Sequence, residues 1–158
     1  MQNKISYKYI SDVDVQEIEH LEQLSFDSTI AWTVQMIQDA VTSQTSKFFI
    51  AYYGEQIIGY CLINDLSCEF ELLRICVIKE YRKLGIAYGL MQFVVDYLKQ
   101  LQIVDTALEA YIFLEVSFDN FSALKLYEKC GFERIAVRKN YYLEAGKYKD
   151  AIIMRLFL

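Results

Sequence analysis

Residues 77–91 have the sequence Val77-Ile-Lys-Glu-Tyr-Arg-Lys-Leu-Gly-Ile-Ala-Tyr-Gly-Leu-Met91, and they join an apolar run to a helical pattern. The apolar run, residues 72–78, is typical of a buried strand, and helical spacing begins at about Leu84. A strand that leads through a glycine into a helix presents free backbone N–H groups at the positive end of the helix dipole, where phosphate binds well. Arg82 and Lys83 add positive charge there. Taken alone, these residues support a phosphate site and an ordinary strand–helix connection equally.

The composition predicts one folded, cytoplasmic domain over residues 1–158. The chain is 54% apolar and long enough to bury a core. Its apolar runs are too short to span a membrane, and its first residues lack the apolar segment of a signal peptide. The net charge of −5 disfavours nucleic-acid binding and suits a cationic partner such as an amine or a basic peptide.

The cysteines and the histidine argue against metal binding and against a covalent intermediate. No C-x-x-C spacing occurs, so we expect buried, reduced thiols. His20 is the single histidine. A histidine-based metal site or a Cys–His nucleophile would have to be built around it, and it lies among acidic residues of a predicted helix.

The apolar patterns predict the element order β-α-α-β-β-β-α-β-α-β-β. The predicted strands are residues 4–10, 47–53, 57–63, 69–78, 111–116, 133–142 and 149–158. The first predicted helix begins with a cap at Ser11 or Asp12, and the second covers residues 28–41. The third covers about residues 84–101, and the fourth runs from a cap at Asp119 or Asn120 to Gly131. One mixed sheet with helices on both faces, an α/β (α+β) fold, accounts for this order.

The first predicted helix has an apolar stripe and an acidic outer face. The stripe contains Val15, Ile18, Leu21 and Leu24 or Ser25, and the outer face contains Asp14, Glu17, Glu19 and Glu22. We interpret the acidic face as solvated, although it could also attract a basic substrate.

Two predicted strand ends point to one crevice. The strand–helix–strand unit of residues 69–116 implies a parallel pair joined by a right-handed crossover. Ligands of open sheets bind outside the carboxyl ends of such strands. Val77 with Arg82, and Val116 with Asn120, are ends of this kind.

Five motifs resemble, in order and spacing, those of the GCN5-related N-acetyltransferase (GNAT) superfamily. The closest resemblance is to bacterial ribosomal-protein-alanine N-acetyltransferases, followed by protein N-terminal acetyltransferases in general. The motifs are 75–77 (Ile-Cys-Val), 82–87 (Arg-Lys-Leu-Gly-Ile-Ala, for Gln/Arg-x-x-Gly-x-Gly/Ala), 114–132, 138–142 (Arg-Lys-Asn-Tyr-Tyr) and 150–154 (Asp-Ala-Ile-Ile-Met). The resemblance covers about residues 31–156 and implies a GNAT domain whose mixed, mostly antiparallel sheet has about seven strands.

The resemblance also implies residues for acetyl transfer from acetyl-CoA to an amine. The implied acetyl-CoA-binding residues are Ile75, Val77, Arg82, Lys83, Leu84, Gly85, Ile86, Ala87, Tyr88 and Asn120. Glu115 corresponds to the general base, acting directly or through water, and Tyr127, twelve residues later (127 − 115 = 12), corresponds to the general acid. Trp32 and Tyr141 are candidates for contact with the acceptor.

Each of these assignments has a purely structural alternative. Glu115 could be a solvent-facing carboxylate, but its apolar neighbours in the strand favour a site role, because strand alternation would not explain a charge in such a run. Tyr127 could be a core residue in a chain with 13 tyrosines. Asn120 could be a helix cap, which is compatible with contact to CoA, and Trp32 could be a lid residue or part of the core.

Two departures from the family pattern leave the acceptor open. Lys79 replaces the usual proline before the acetyl-CoA motif, and residues 103–110 form a longer connection than is typical. The acceptor could therefore be the N-terminal α-amine of a protein such as a ribosomal one, or a small amine or lysine side chain. A CoA-binding sensor without catalysis is disfavoured by the joint presence of Glu115 and Tyr127. We expect a monomer or weak dimer that binds neither nucleic acid nor membrane.

Overall fold

The computed structural model describes residues 4–102 and 109–158, and its strands form one seven-stranded mixed sheet. The strands are β1 Ile5–Ile10, β2 Ser46–Tyr53, β3 Gln56–Asp65, β4 Glu69–Val77, β5 Tyr111–Ser117, β6 Glu133–Glu144 and β7 Lys147–Phe157. The helices are α1 Val15–Ser25, α2 Val34–Thr42, α3 Ile86–Gln102 and α4 Phe121–Lys129, with a short 3-10 helix at Lys79–Tyr81. The predicted order of strands and α-helices and the fold class are confirmed. Most of the long connection predicted at residues 103–110 lies outside the described residues.

The strands lie side by side in the order β1-β2-β3-β4-β5-β7-β6. Every neighbouring pair is antiparallel except β4 and β5, which are parallel. The predicted parallel pair, with α3 between its two strands in the chain, is thereby confirmed. The sheet consists of two antiparallel parts, one of four strands and one of three, that meet at the β4–β5 pair.

Helices cover both faces of the four-stranded part of the sheet, because neighbouring apolar residues of β2 point to opposite faces. Phe49 packs against Phe93 and Tyr97 of α3, with ring centroids 6.2 and 5.2 Å apart. The preceding residue, Phe48, points to the opposite face and stacks on Tyr60, whose hydroxyl reaches α1. Since successive side chains of a strand alternate, this run of apolar residues supplies core on both sides.

The first helix differs from its prediction in one consequential way. Asp14, not Ser11 or Asp12, caps it by accepting a hydrogen bond from the Gln16 N–H at 2.7 Å. Its buried side chains are Ile18, Leu21, Glu22 and Ser25. The assignment of Glu22 to the acidic outer face was therefore wrong, because Glu22 lies one helical turn after Ile18 and shares its inward stripe.

The second helix begins six residues later than predicted. Thr33 caps it by accepting a hydrogen bond from the Met36 N–H, so α2 starts at Val34 rather than at residue 28. The preceding residues, 26–33, form a connection that we call the α1–α2 loop. Trp32 lies in this loop and not in a helix.

The remaining elements follow their patterns closely. The predicted inner face of α3 is fully buried at Leu90, Met91, Val94 and Leu98, while Leu101 is exposed. Asn120 caps α4, and Gly131 follows its end with a φ of 95°. The four cysteines are free thiols. Among the described helices, none combines the length and the apolar character needed to cross a membrane.

Candidate active site

The cleft of the candidate active site opens between β4 and β5. These strands pair at only three positions, residues 69–71 with residues 111–113. Beyond them, residues 72–77 have no partner on this side among the described strands, while β5 continues along β7 as far as Ser117. The carboxyl ends of β4 and β5 therefore flank an open cleft whose β4 edge offers unpaired backbone groups.

An extra residue in β4 explains the separation. Leu62 of β3 opposes Arg74, but the next residue, Ile63, opposes Leu72. Leu73 is thus bulged. A β-bulge bends its strand and increases the local twist, which turns β4 away from β5 at the point where their pairing ends.

Six unpaired backbone N–H groups lie where the chain enters α3. In the part of the chain that the structure describes, the N–H groups of residues 83–88 have no hydrogen-bond acceptor. Lys83 and Gly85 have φ values of 61° and 78°, and left-handed residues in such a turn direct N–H groups towards a common anion site. A Cβ at Gly85 would meet no atom within 4 Å, so the positive φ alone favours glycine. Together with the dipole of α3, this turn fits a pyrophosphate group.

The side chain of Arg82 already has partners. Its Nε donates a hydrogen bond to the Val77 carbonyl at 2.9 Å, and a terminal nitrogen donates to the Ser25 carbonyl. Arg82 thus joins the pyrophosphate turn to the end of β4 and to the end of α1. Lys83 is exposed and has no ion-pair partner among the described residues, so its charge is free to meet a phosphate.

Glu115 lies on the half-exposed face of β5. The strand alternates regularly, with Leu114 and Val116 buried and with Phe113, Glu115 and Ser117 half-exposed. The argument that alternation cannot explain a charge here was therefore wrong, because Glu115 has the ordinary position of an outward-facing residue. Its surroundings, rather than its place in the strand, favour a site role.

Side chains from β6 surround Glu115. Arg138 forms an ion pair with its carboxylate at 2.9 Å. The interaction of the Tyr141 hydroxyl with the same carboxylate raises the pKa of Tyr141 above its ordinary value. The Tyr142 hydroxyl donates to the Glu115 backbone carbonyl at 3.3 Å. The pairing of β6 with β7 shifts between Arg138 and Tyr142, and Asn140 has a φ of 53° there.

Tyr127 is buried in α4 and keeps its proton. Its side chain is 7% exposed and packs against Phe132, with ring centroids 5.8 Å apart. Burial, with smaller electrostatic effects of Cys61 and Tyr142, raises the pKa of Tyr127 well above its ordinary value. Among the described residues, none hydrogen-bonds its hydroxyl. A phenol in this state can donate a proton to a basic leaving group.

The other predicted residues have defined positions. Asn120 accepts hydrogen bonds from the Ala123 N–H and the Ser122 hydroxyl, both at 3.2 Å, so it is a helix cap. Trp32 is half-buried in the α1–α2 loop. Of the two residues predicted to contact the acceptor, Tyr141 lies beside Glu115. Trp32 lies near β4 instead, with its ring 5.5 Å from the guanidinium of Arg74.

Sequence reasoning gave no role to several residues of this region. Arg138 and Tyr142 lie in the matched segment 138–142, and their place beside Tyr141 was the available signal. Glu22 and Arg74 form a buried ion pair under the α1–α2 loop. Only the helical period of α1 could have revealed that Glu22 points inward.

An open cleft between diverging strands, with an anion-binding turn on one side and a carboxylate on the other, defines an acyl-transferring enzyme of the N-acetyltransferase class. The profile of the Acetyltransferase (GNAT) family matches residues 13–132. The chain therefore belongs to the GNAT family of acetyltransferases. In the described residues, no group of three His, Cys, Asp or Glu side chains could hold a metal ion.

Relatives and solved structures agree with this assignment. The chain is 29% identical over 150 residues to N-alpha-acetyltransferase RimI of Mycobacterium tuberculosis, covering 92% of this chain and 88% of that protein. It is 25% identical over 147 residues to the ribosomal protein bS18-alanine N-acetyltransferase of Escherichia coli, covering 93% of each. An uncharacterized protein of Mycobacterium leprae is longer, and the chain spans 39% of its length (92% of this chain) at 29% identity.

Among solved structures, the ribosomal-protein-S18-alanine N-acetyltransferase from Escherichia coli superposes with a TM-score of 0.85 at 23% identity, covering 98% of this chain and 94% of that one. NAA60 of Arabidopsis thaliana, solved in complex with acetyl-CoA, superposes with a TM-score of 0.79 at 20% identity, covering 98% of this chain and 100% of that one. At these identities the superpositions establish the shared fold.

Proposed function

We propose that the protein transfers the acetyl group of acetyl-CoA to the N-terminal α-amine of a protein, with Glu115 as general base and Tyr127 as general acid. The α-amine attacks the thioester carbonyl carbon, a C–N bond forms, and the C–S bond breaks. Glu115 accepts the proton that the amine loses, directly or through water, and Tyr127 donates a proton to the departing thiolate. An α-amine has a pKa of about 7.7–8.0, so a carboxylate and one intervening water suffice as base.

The observation that supports the proposal most is the open cleft between β4 and β5, flanked by the six unpaired N–H groups of residues 83–88. That turn would hold the pyrophosphate, and Lys83, which forms no ion pair among the described residues, would add positive charge beside it. The unpaired edge of β4, from Ile75 to Val77, would hydrogen-bond the pantetheine arm and offer an N–H to the thioester oxygen. Acetyl-CoA supplies the activated acyl group, and the side-chain amide nitrogen of Asn120, which has no acceptor among the described residues, would donate to its arm.

The surroundings of Glu115 support an acceptor that enters beside β6. Arg138 and Tyr141 orient the carboxylate, and Tyr141 is 47% exposed, so it would line the acceptor side. Trp32 would line it from the α1–α2 loop. The names of the Escherichia coli and Mycobacterium tuberculosis relatives favour a protein N-terminus, and most specifically the N-terminal alanine of a ribosomal protein. Action in the cytoplasm is part of the same proposal.

The experiment is a thiol-release assay with acetyl-CoA and a panel of acceptors. The panel contains N-terminal peptides that differ in their first residue, a peptide with a blocked N-terminus and an internal lysine, and polyamines. We expect release with free N-termini, and the greatest release with alanine. If thiol is released only with the lysine peptide or with polyamines, the acceptor is a lysine side chain or a small amine and not an N-terminus. Tight CoA binding without thiol release in the presence of any amine would favour a sensor.

Matched variants test the two catalytic assignments. Glu115→Gln and Tyr127→Phe should each lower kcat by about 10²–10⁴-fold, which is the usual contribution of a general base or acid. Glu133→Gln and Tyr148→Phe make the same chemical changes at exposed positions and should leave turnover unchanged. Normal turnover in Glu115→Gln and Tyr127→Phe would refute this mechanism without affecting the family assignment.

A further inference from the structure

A fully buried carboxylate lies on the inner face of α1. Glu22 is 0% exposed, and both of its oxygens have two hydrogen-bond donors. Oε1 accepts from the Tyr60 hydroxyl at 2.7 Å and from Arg74 Nε at 2.9 Å. Oε2 accepts from a terminal nitrogen of Arg74 at 2.5 Å and from the Trp32 N–H at 2.8 Å. The carboxylate is thus completely satisfied without water.

Stability alone does not explain such a pair. Removing two charges from water is costly, and apolar residues of similar size often stabilise a protein equally well or better. The core around α1 contains apolar residues that already join the helix to the sheet, such as Ile18 and Leu21. The pair therefore has to be considered for what its directional bonds hold in position.

Several contacts of the pair lead to the α1–α2 loop. Glu22 binds the backbone N–H of Trp32, and a terminal nitrogen of Arg74 donates to the Ile30 carbonyl at 3.0 Å. The Arg74 guanidinium also lies 3.9 Å from the centroid of the Phe26 ring. The beginning and the end of residues 26–33 are thus fixed to one guanidinium and one carboxylate.

The loop is held on the face of the sheet that carries Glu115. Opposed residues of neighbouring strands share a face, as do residues two apart along a regular strand. Arg74 opposes Leu62 of β3, and Asn64, two residues after Leu62, opposes Glu71 of β4. Glu71 in turn opposes Phe113 of β5, and Glu115 lies two residues after Phe113. Arg74 and Glu115 are therefore on the same face. Arg74 also lies on the part of β4 that has separated from β5. The pair is therefore next to the cleft and on its acceptor side.

We propose that Glu22 and Arg74 are positioning residues for the acceptor, because together they fix the α1–α2 loop as one wall of the acceptor-binding cleft. The exposed Ile30 side chain and the Trp32 ring form the surface of that wall. This inference rests on the proposed function, since it requires an acceptor on the Glu115 face. Neither residue takes part in proton transfer.

Three variants and one control test the inference. Arg74→Lys keeps the charge but loses the planar fork that binds Glu22 and Ile30 together. Glu22→Gln keeps the shape, and Glu22→Leu combined with Arg74→Leu keeps an apolar contact without any bond to the loop. The control, Arg134→Lys, changes an arginine–glutamate pair with Glu128 that is exposed on both sides.

The measurement is steady-state kinetics with acetyl-CoA and the peptide that the wild-type protein uses best. We expect the KM of the peptide to rise on the order of tenfold to a hundredfold in the three variants, because small displacements of positioning groups have effects of this size. The KM of acetyl-CoA and kcat should stay close to wild type, as should all constants of the control. A merely structural role would lower the folded fraction and the apparent kcat without changing the peptide KM, and that result would overturn the inference.

Trp32 gives a readout that needs no activity. It is the single tryptophan, so its emission reports only on the loop. We expect red-shifted emission and stronger acrylamide quenching in the three variants, at equal far-UV circular dichroism. If the wild-type protein acetylates no peptide, the proposed function fails, and this readout still tests the loop. Wild-type emission and quenching in all three variants would overturn the positioning role.

Discussion

A single methyl group at Gly59 should destabilise the protein and disturb the cleft. Gly59 lies in β3 opposite Val77, the last residue of β4. A Cβ at this position would lie 2.5 Å from the Cys76 carbonyl oxygen and 3.2 Å from Val77 Cα. Both are backbone atoms of a central strand, so neither can move aside without shifting β4. The φ of Gly59 is not in the left-handed region, and the effect is therefore purely steric.

The size of the effect follows from the overlap. Ordinary contact begins at 3.4 Å, so the methyl group penetrates by 0.9 Å (3.4 − 2.5 = 0.9). Overpacking of a dense core costs about 1–3 kcal/mol. Reduced entropy of the unfolded chain offsets about 0.4–1 kcal/mol of this. The net cost is thus about 0–2.6 kcal/mol. Because the obstacle is rigid backbone, we expect Gly59→Ala to fall in the upper part of this range and to lose about 1–2.5 kcal/mol, or about 2–10 °C in Tm for a chain of this length.

The assay is urea unfolding at 25 °C followed by circular dichroism, with thermal unfolding as a second measure. Gly89→Ala is the comparison, because its Cβ would overlap the Tyr7 side chain, at 2.2 Å from the hydroxyl oxygen, 2.8 Å from Cζ and 3.1 Å from Cε2, and not the backbone of a neighbouring strand, so a shift of the Tyr7 ring can relieve the overlap. Alanine also favours the interior of α3 by about 0.8–1.0 kcal/mol, so this variant should stay within about 1 kcal/mol of wild type. Gly59→Ala should also raise the KM of acetyl-CoA, since β4 borders the cleft. A Gly59→Ala variant as stable as wild type, or a Gly89→Ala variant less stable than Gly59→Ala, would contradict this prediction.

Two further predictions concern charged residues. Arg82→Gln removes the hydrogen bonds to the Val77 and Ser25 carbonyls and should lower the free energy of unfolding by about 1–2 kcal/mol at this exposed position. Lys83→Gln should keep this free energy unchanged but weaken CoA binding in calorimetric titrations, and the loss should be greater at low salt. Wild-type CoA affinity in Lys83→Gln would contradict the role given to Lys83. Burial raises the pKa of Glu22, but hydrogen bonds from Arg74, the Trp32 N–H and Tyr60 outweigh it, so the pKa is lowered below 4.5. This carboxylate therefore stabilises the fold fully above pH 4.5 and loses that contribution as the pH falls through the lowered pKa. The difference in urea midpoint between wild type and Glu22→Gln should shrink over that range, and a difference independent of pH would count against it.

The order of elements was accessible from the sequence because apolar periodicity changes clearly from two to 3.6 along this chain. The helix start at residues 84–86 and the cap at Asn120 are local features, set by a glycine and an amide within a few residues. Positions decided by tertiary contacts were less accessible. Thr33 caps α2, for example, although residues 28–33 also fit a helical pattern, and Trp32 was accordingly assigned to the wrong element.

The candidate site shows the same division. The anion-binding turn is a local motif, and its glycine and basic residues mark it in the sequence. The partners of Glu115 depend on the register of β6 against β7 and on an irregularity between Arg138 and Tyr142, which no local pattern specifies. Glu22 was misassigned because its charge outweighed its position in the helical period. A buried charge requires a partner, and Arg74 is distant in sequence.

The short parallel contact between β4 and β5 has a mechanical consequence. Three paired positions join a four-stranded block to a three-stranded one. The arm of β4 beyond this contact, residues 72–77, stays paired with β3 and is about 20 Å long at about 3.3 Å per residue. A rotation of about 5° around the contact would therefore move the tip of this arm by about 1.7 Å, while breaking none of the antiparallel ladders. Such a rotation would change the width of the cleft with little loss of hydrogen bonding, because only the three paired positions of β4 and β5 join the two blocks of the sheet.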